Sequence, residues 1–341
     1  MKVLHVLTWY PTADQPHMGV WIQRHVDALA PHVAQEVVHV PKFSGPWRLQ
    51  EVKAYRWLKR TLKGYKADVL NVHIAYPLLV HAHLLPAYWR ERLVITEHWS
   101  IYHHRFYTTK KLPRIQAIFG RGWPVITVSD RLAADIAAFS GHALEQYTVP
   151  NVVDTAVFHP SSTREKRLVL GSYWKLPKDP LALVPALDAF LTAHPDWSVD
   201  VFGYGPLAPA FEMALRACAS SERVRWHGQL GSPAIAALLA TASGFVHPSA
   251  YETFSVVCAE ALCSGVPVVH AGGGALPEVV GEDSVVVHGA DWQSGLEQLA
   301  GSAFDSEQIA RRAAARFGKA AVGKQYFQAL QACFPSHTST S

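Results

Sequence analysis

His247-Pro-Ser-Ala-Tyr-Glu-Thr-Phe-Ser-Val-Val-Cys-Ala-Glu-Ala-Leu-Cys-Ser-Gly-Val-Pro-Val-Val-His270 is the stretch whose reading decides the fold. It reads as a strand ending near Pro248, a short loop carrying Glu252, a helix from about Thr253 to Cys263 stopped by Gly265, and a second strand over Val266–His270. A strand, a crossover helix and another apolar strand form a parallel βαβ unit. The same alternation extends outward. Further strands are expected at Arg167–Gly171, Ser198–Phe202, Val224–His227, Gly244–His247 and Val285–Val287. An earlier series is expected at Val3–Leu7, Val37–Val40, Val69–Val72, Leu93–Thr96 and Val125–Val128, with helices such as Trp21–Leu29 and Leu132–Phe139 between. Such near-continuous apolar runs bury on both faces, which marks parallel sheets. The turn-rich Val149–Asp154 and polar Ser161–Lys166 divide the two series. The pattern predicts two α/β domains, 1–160 and 161–305. A helical tail over 306–333 is expected to pack back toward the first domain, followed by a polar end over 334–341.

Composition narrows the class. The 341 residues are 49% hydrophobic and 17% charged, which excludes a disordered chain. Net charge is mild at +4, but residues 1–160 carry +7 and the remainder −3. An asymmetry of that kind points to two tasks, one with an acidic partner or surface. The four cysteines form no Cys-x-x-Cys pair and read as buried thiols of a reducing compartment. Met1–Leu7 is too short and too soon interrupted for a signal-peptide core. The longest uncharged stretch, Trp226–Tyr251, is broken by glycines and prolines, so no membrane span is expected. These features predict a cytoplasmic protein.

Glu252 and Glu260 lie eight positions apart, about 12 Å along an ideal helix. Carboxylates that work across one glycosidic bond sit only about 5 to 9.5 Å apart. The two glutamates are therefore expected to hold different parts of one elongated ligand. Backbone amides near Phe254 and Ser255 would open the helix and suit a phosphate. Together these features describe a grip on a nucleotide diphosphate sugar. The alternative is a capped amphipathic helix with Glu260 in an ion pair. A nicotinamide dinucleotide site is excluded: no Gly-x-Gly-x-x-Gly follows a strand, and Gly203-Tyr-Gly205 is followed by Pro206.

The segment around Glu252 resembles the Glu-x7-Glu signature of retaining glycosyltransferases of the GT4 type, with Pro-Ser-x-x-Glu before it and Gly-Val-Pro-Val-Val after it. Other stretches resemble the same family in order. Val149-Pro-Asn-Val-Val-Asp-Thr-Ala-Val-Phe158 is similar to its interdomain segment, with Val152 in place of the usual glycine. Phe202–Leu207 and His227-Gly228 match its next two strand ends, and Gly272–Glu278 matches its Gly-Gly-x-x-Glu turn. The resemblance implies the GT-B fold, two Rossmann-like doubly wound domains facing a cleft. The donor is then bound mainly by the second domain and the acceptor by the first. It also implies retaining transfer without a metal, and no cofactor beyond the nucleotide sugar.

Carried over residue by residue, the resemblance implies that Glu260 binds ribose hydroxyls and Glu252 the sugar near its anomeric centre. Thr253, Phe254 and Ser255 belong to the donor site, as do Ser172 and Gly203 at the matched strand ends. Lys178 matches the diphosphate-binding lysine. The family places arginine directly after Gly171, whereas this chain has Ser172, and Lys175 is the cation at hand to replace it. Gly19 matches the glycine that lets backbone approach the donor, and His98 the histidine that contacts the transferred sugar. His73, His81 and His83 lack the carboxylate or cysteine company of a metal site and read as helix and surface histidines.

The basic surplus is concentrated in residues 42–66, with eight Lys and Arg against Glu51 alone. Val52, Tyr55, Leu58, Leu62 and Tyr65 form an apolar stripe at helical spacing. Such a helix suits either an anionic membrane surface or ordinary core packing. Tyr102–Lys111 is a second basic aromatic patch. No recognition motif accompanies the charge, so nucleic acid is not an expected partner. The expected activity is transfer of a hexose-type sugar to a glycan or lipid-linked acceptor, in cell-surface polysaccharide or glycolipid synthesis. Two alternatives are a weak or inactive nucleotide-sugar-binding relative and a two-domain solute-binding protein.

Overall fold

The computed structural model describes residues 1–11, 18–104 and 110–335. Part of the Tyr102–Lys111 patch and most of the 334–341 tail lie outside the described residues. The chain forms two compact units: Met1–Val152 with the stretch from Ala320 on, and Val153–Lys319. The crossing between units falls at Val152–Val153, within the turn-rich segment.

In the first unit β1 (Lys2–Leu7), β2 (Ala34–His39), β3 (Val69–His73), β4 (Leu93–Glu97), β5 (Val125–Thr127) and β6 (Gln146–Thr148) form one parallel sheet, ordered β2-β1-β3-β4-β5-β6. The strand order reverses between β1 and β3. Every residue of β3 and β4 is buried, as near-continuous Val, Leu and Ile require. The edge strand β6 has no such signal: Gln-Tyr-Thr is short, polar and half-exposed, and composition gives no reason to expect it. The tail contains two helices. Ser306–Phe317 packs on Val256–Cys263 in the second unit. Lys319–Cys333 places Val322, Tyr326 and Leu330 in the first unit's core with Val3, Val69, Val94 and Ile126. The buried Tyr326 hydroxyl accepts from Asn71 Nδ2 at 2.6 Å and lies 3.1 Å from Thr96 Oγ1, tying that helix to β3 and β4.

The helix Trp47–Thr61 buries Leu58 of the expected stripe, with Leu62 just beyond it, but not Val52. Its buried face is Glu51, Ala54 and Leu58, while Val52 is 41% and Leu49 46% exposed. A buried carboxylate needs a partner. Glu51 accepts from Arg114 Nε at 2.8 Å, which explains one acidic residue among eight basic ones.

In the second unit β7 (Glu165–Tyr173), β8 (Ser198–Tyr204), β9 (Val224–Trp226), β10 (Ala242–His247), β11 (Val268–His270) and β12 (Ser284–Val286) form a second parallel sheet, ordered β12-β11-β10-β7-β8-β9. Helix residues Leu187, Phe190, Phe211 and Leu296 close over Leu168, Leu170, Val199 and Val246. The order reverses between β7 and β10. In open α/β sheets ligands bind beyond the carboxyl ends of the strands at such a reversal. The second unit's reversal is where the loop carrying Glu252 begins.

Candidate functional site

Two segments leave the sheet at the reversal between β7 and β10. After β7 the chain turns through Trp174-Lys-Leu-Pro-Lys178, where the Lys178 amide donates to the Lys175 carbonyl at 2.7 Å. After β10 it runs through Pro248 to Glu252. The segments are stitched together: Lys178 bridges Ser249, and the Ala250 amide donates to the Pro177 carbonyl at 3.1 Å. This backbone pairing brings Lys178 Nζ to 3.2 Å from Glu252 Oε1. His247, the last residue of β10 and 1% exposed, donates from Nε2 to the same oxygen at 2.9 Å. A carboxylate only accepts, so this contact requires a proton on Nε2 of His247. Burial alone would raise the Glu252 carboxyl, but Lys178 and the His247 hydrogen bond outweigh it and hold the group at about 2. Glu252 is therefore ionised at every physiological pH, an acceptor and never an acid.

Glycines press this loop into shape. Glu252 pairs with Gly274, and its carbonyl accepts from the Ala275 amide at 2.8 Å. A side chain at Gly274 would put Cβ 2.2 Å from the Glu252 carbonyl oxygen, and one at Gly273 would put it 2.0 Å from that of Ala250. The Gly272–Glu278 turn is thus the wall against which Glu252 is set.

The helix here begins at Val256 rather than Thr253, which corrects the expected boundary. Its cap is Ser255, at a left-handed φ of 76°, where a side chain with Cβ is seldom found. The amides left unpaired by helix geometry are consequently those from Ser255 to Cys258, not that of Phe254. Phe254 is 2% exposed and packs edge-on against Phe317 at 5.4 Å, anchoring the loop. Thr253 lies between that anchor and Glu252. Glu260 sits about one turn into the helix, 7% exposed. Glu252, Lys178 and Ser255 are thus brought around one loop, with Glu260 on the helix that leaves it.

The other expected residues fall as follows. Ser172 is half-buried near the end of β7, beside Gly203 of β8. Gly203 is required there, since its Cβ would stand 2.0 Å from the Ser172 carbonyl oxygen. Lys175 is exposed and lies 5.2 Å over the Tyr173 ring, apart from the Lys178–Glu252 pair. In the first unit Gly19 (φ 72°) caps the helix Val20–Leu29, where a Cβ would stand 2.5 Å from the Trp9 carbonyl carbon. His98 is 8% exposed just beyond β4. Glu97 beside it is fully buried and accepts from the Ala75 amide at 2.7 Å and the Tyr102 hydroxyl at 2.6 Å. Desolvation prevails over these bonds and raises its carboxyl to about 7. His73 is not a helix or surface residue: it is buried in β3, while His83 is exposed on the short 3-10 helix Ala82–Leu84. Among the described residues no group of three or more His, Cys, Asp and Glu is placed to hold a metal ion.

Sequence reasoning missed His247. Its signal was available as a histidine at a strand's carboxyl end, five residues before the glutamate it contacts. Nothing in the sequence tells that its ring turns toward the loop.

The comparisons with known proteins bear on the family and the fold. Residues 9–157 match the model described as Glycosyltransferase Family 4, and residues 164–301 match that of Glycosyl transferases group 1. Over 162 residues, 47% of this chain and 39% of the relative, the sequence is 34% identical to the MMP alpha-(1->4)-mannosyltransferase of Mycolicibacterium hassiacum. The matches span about half or less of the length of the curated relatives. The fold is similar to sucrose-phosphate synthase from Thermosynechococcus elongatus, with TM-score 0.76 and 16% identity over 98% of this chain and 100% of that one. It is also similar to Anabaena HepE, solved with UDP and glucose, with TM-score 0.70 and 17% identity over 97% of this chain and 100% of that one.

Proposed function

We propose, for a chain that belongs to the GT4-type glycosyltransferases, that it transfers a hexose-type sugar with retention from a nucleotide diphosphate sugar to a glycan or lipid-linked acceptor. The observation that carries this reading is the Lys178–Glu252–His247 cluster at the strand-order reversal of the second unit. The anionic Glu252 accepts from donor-sugar hydroxyls, and Glu260 from those of the ribose. Lys178, held ready by Glu252, supplies positive charge to the diphosphate as it leaves, and the amides at the start of the helix add partial positive charge. These groups neutralise the leaving group without a metal. With no protein nucleophile in this reading, the acceptor enters on the face the diphosphate leaves. In the first unit His98 is assigned to the transferred sugar and Gly19 to close backbone approach. UDP bound to Anabaena HepE supports a nucleotide-sugar donor.

The test is a thermal-shift screen over UDP-, GDP- and ADP-sugars, followed by NMR of the product formed from the donor that stabilises most. Stabilisation by one donor class and product of unchanged anomeric configuration are expected. Product of inverted configuration refutes retention, and binding without transfer or hydrolysis favours an inactive nucleotide-sugar-binding relative.

The reading includes peripheral attachment at the cytoplasmic membrane face through 42–66. Supporting it, the outward face of Trp47–Thr61 joins exposed Leu49 and Val52 to Lys53, Arg56, Lys59 and Arg60 around a groove of about 740 Å³. No described helix is long and apolar enough to cross a membrane. Each basic residue near an anionic surface contributes about 1 kcal/mol, screened by salt. The protein is expected to co-sediment with phosphatidylserine vesicles at low salt, to be released at about 1 M, and to ignore phosphatidylcholine. Absence of low-salt binding refutes the attachment.

A further inference from the structure

Three cations gather around one indole at the carboxyl edge of the first unit's sheet. Trp47 and Arg48 open the helix that follows β2, and Tyr76 lies in the loop after β3. Lys111 and Arg114 stand at the start of the helix Leu112–Phe119, in the crossover from β4 to β5. The Arg48 guanidinium lies 5.2 Å, that of Arg114 5.8 Å and the Lys111 ammonium 6.0 Å from the centroid of the Trp47 ring. Lys111 is also 5.8 Å from the centroid of the Tyr76 ring. Ring faces attract cations, so two aromatic side chains hold the half-buried ammonium in place.

Attraction to a ring places a cation without neutralising it. Among the described residues the one carboxylate that pairs with any of the three cations is Glu51, which is wholly buried and committed to Arg114. Arg114 Nε donates to Glu51 Oε2 at 2.8 Å, and Nη2 lies equally close. The same Nη2 is 3.3 Å from His81 Nε2, which leaves the two N–H groups of Nη1 without a partner among the described residues. The helix Trp47–Thr61 has no acidic residue in its first turn to offset Arg48. Three positive charges thus meet one negative charge, an excess of two. Like charges held together repel, and an anion arriving from outside removes that cost. The excess lies beyond the carboxyl ends of the strands, where open α/β sheets bind their ligands. A phosphate monoester carries about −1.5 to −2 near pH 7 and matches it. Guanidinium and ammonium groups both bind phosphate oxygens well.

We propose that Trp47, Arg48, Tyr76, Lys111 and Arg114 form a phosphate-binding subsite of the first unit, and that the acceptor carries the phosphate. Lys111 and Nη1 of Arg114 contact the phosphate, the two rings hold Lys111 in place, and Arg48 adds attraction from the rim. Assigning the phosphate to the acceptor rests on the transferase reading above; the binding of phosphate does not.

The test is isothermal titration calorimetry on the full chain at low ionic strength. The probes are glucose, glucose 6-phosphate and short-chain phosphatidylinositol below its micelle concentration. A phosphate-bearing probe is expected to bind and glucose is not, with affinity falling as salt rises. Lys111→Gln is expected to weaken that binding by about tenfold or more, and Arg48→Gln by less. Both side chains are at least partly exposed and outside the Glu51 pair, so the fold is expected to survive, as circular dichroism checks. Lys178→Ala, in the second unit, is expected to leave the phosphate affinity unchanged. Lys111-dependent binding of glucose 6-phosphate alone assigns the phosphate to a soluble sugar, and that of phosphatidylinositol alone to a lipid headgroup; binding of both shows that the phosphate itself is recognised. The proposal is overturned if neither probe binds, or if binding is lost in Lys178→Ala and kept in Lys111→Gln. The thermal shift caused by nucleotide sugars tests the transferase reading separately. Donor binding without phosphate binding removes only the subsite, and phosphate binding without donor binding removes only its assignment to an acceptor.

Discussion

Glu252→Ala lowers kcat/KM for sugar transfer by about a thousandfold or more, with the fold intact, the scale expected when a preorganised charged group is lost from a reacting centre. The loss has two parts. The carboxylate is removed from the sugar, and Lys178 loses the anion that holds it 3.2 Å away. Glu252→Gln separates them. The amide oxygen still accepts from His247, so the loop keeps its shape, but Lys178 faces a neutral group. The glutamine variant is expected to keep donor affinity better than alanine while losing most of kcat. Lys178→Ala is expected to raise donor KM and lower kcat together, because its charge meets the diphosphate before and during departure. Steady-state kinetics with circular dichroism on each variant checks the set. Normal turnover in Glu252→Ala removes the cluster from the mechanism.

Acidification from pH 7 to pH 4 destabilises the first unit. His5 and His25 are buried neutral, with values lowered by desolvation to about 3 and about 4 from 6.5. The unfolded chain therefore takes up these protons first as pH falls below 6.5, and stability is lost until the folded values are passed. At pH 4 each costs about 3 kcal/mol, from about 1.4 kcal/mol per pH unit. Glu97 acts the other way: raised to about 7, it regains about 3 kcal/mol as pH falls from 7 toward its unfolded value of 4.5. The net loss is about 3 kcal/mol before His73 and His98, which shift in the same direction as His5, are added. A domain has only about 5 to 15 kcal/mol in total. In the second unit Glu252, held at about 2, still contributes its stability at pH 4. Urea unfolding at both pH values is expected to show the loss. Hydrogen exchange corrected for its intrinsic pH dependence locates it in β1, β3, β4 and the helix Val20–Leu29. Equal urea midpoints at pH 7 and pH 4 rule it out.

Much of the fold was legible because its strands are buried on both faces. Val69–Val72 and Leu93–Thr96 announce themselves as strands, and each lies within a structural one. Boundaries were less legible where backbone conformation decides them. Thr253 reads as a helix start, but the Gly273-Gly274 wall keeps Glu252 and its neighbours out of the helix until Ser255 turns left-handed. On Trp47–Thr61 hydrophobicity put Val52 on an apolar stripe that suited a membrane surface or the core alike. The Arg114 partner makes Glu51 the buried residue instead, and the helix rotates accordingly. His247 escaped notice because a histidine in an apolar strand end looks the same whether it faces core or ligand.

The sequence by itself determined two parallel α/β sheets, all but the edge strand β6, and the loop on which Glu252 stands, because apolar periodicity, glycine turns and strand ends are local properties of the chain. Only the tertiary structure decided which groups share charge and protons. Lys178 meets Glu252 because strand order sets β7 beside β10. His5 meets His73, 68 residues away, because β1 lies beside β3. Those encounters follow from sheet order: one sets the charge of the glutamate, the other places two buried imidazoles 3.3 Å apart.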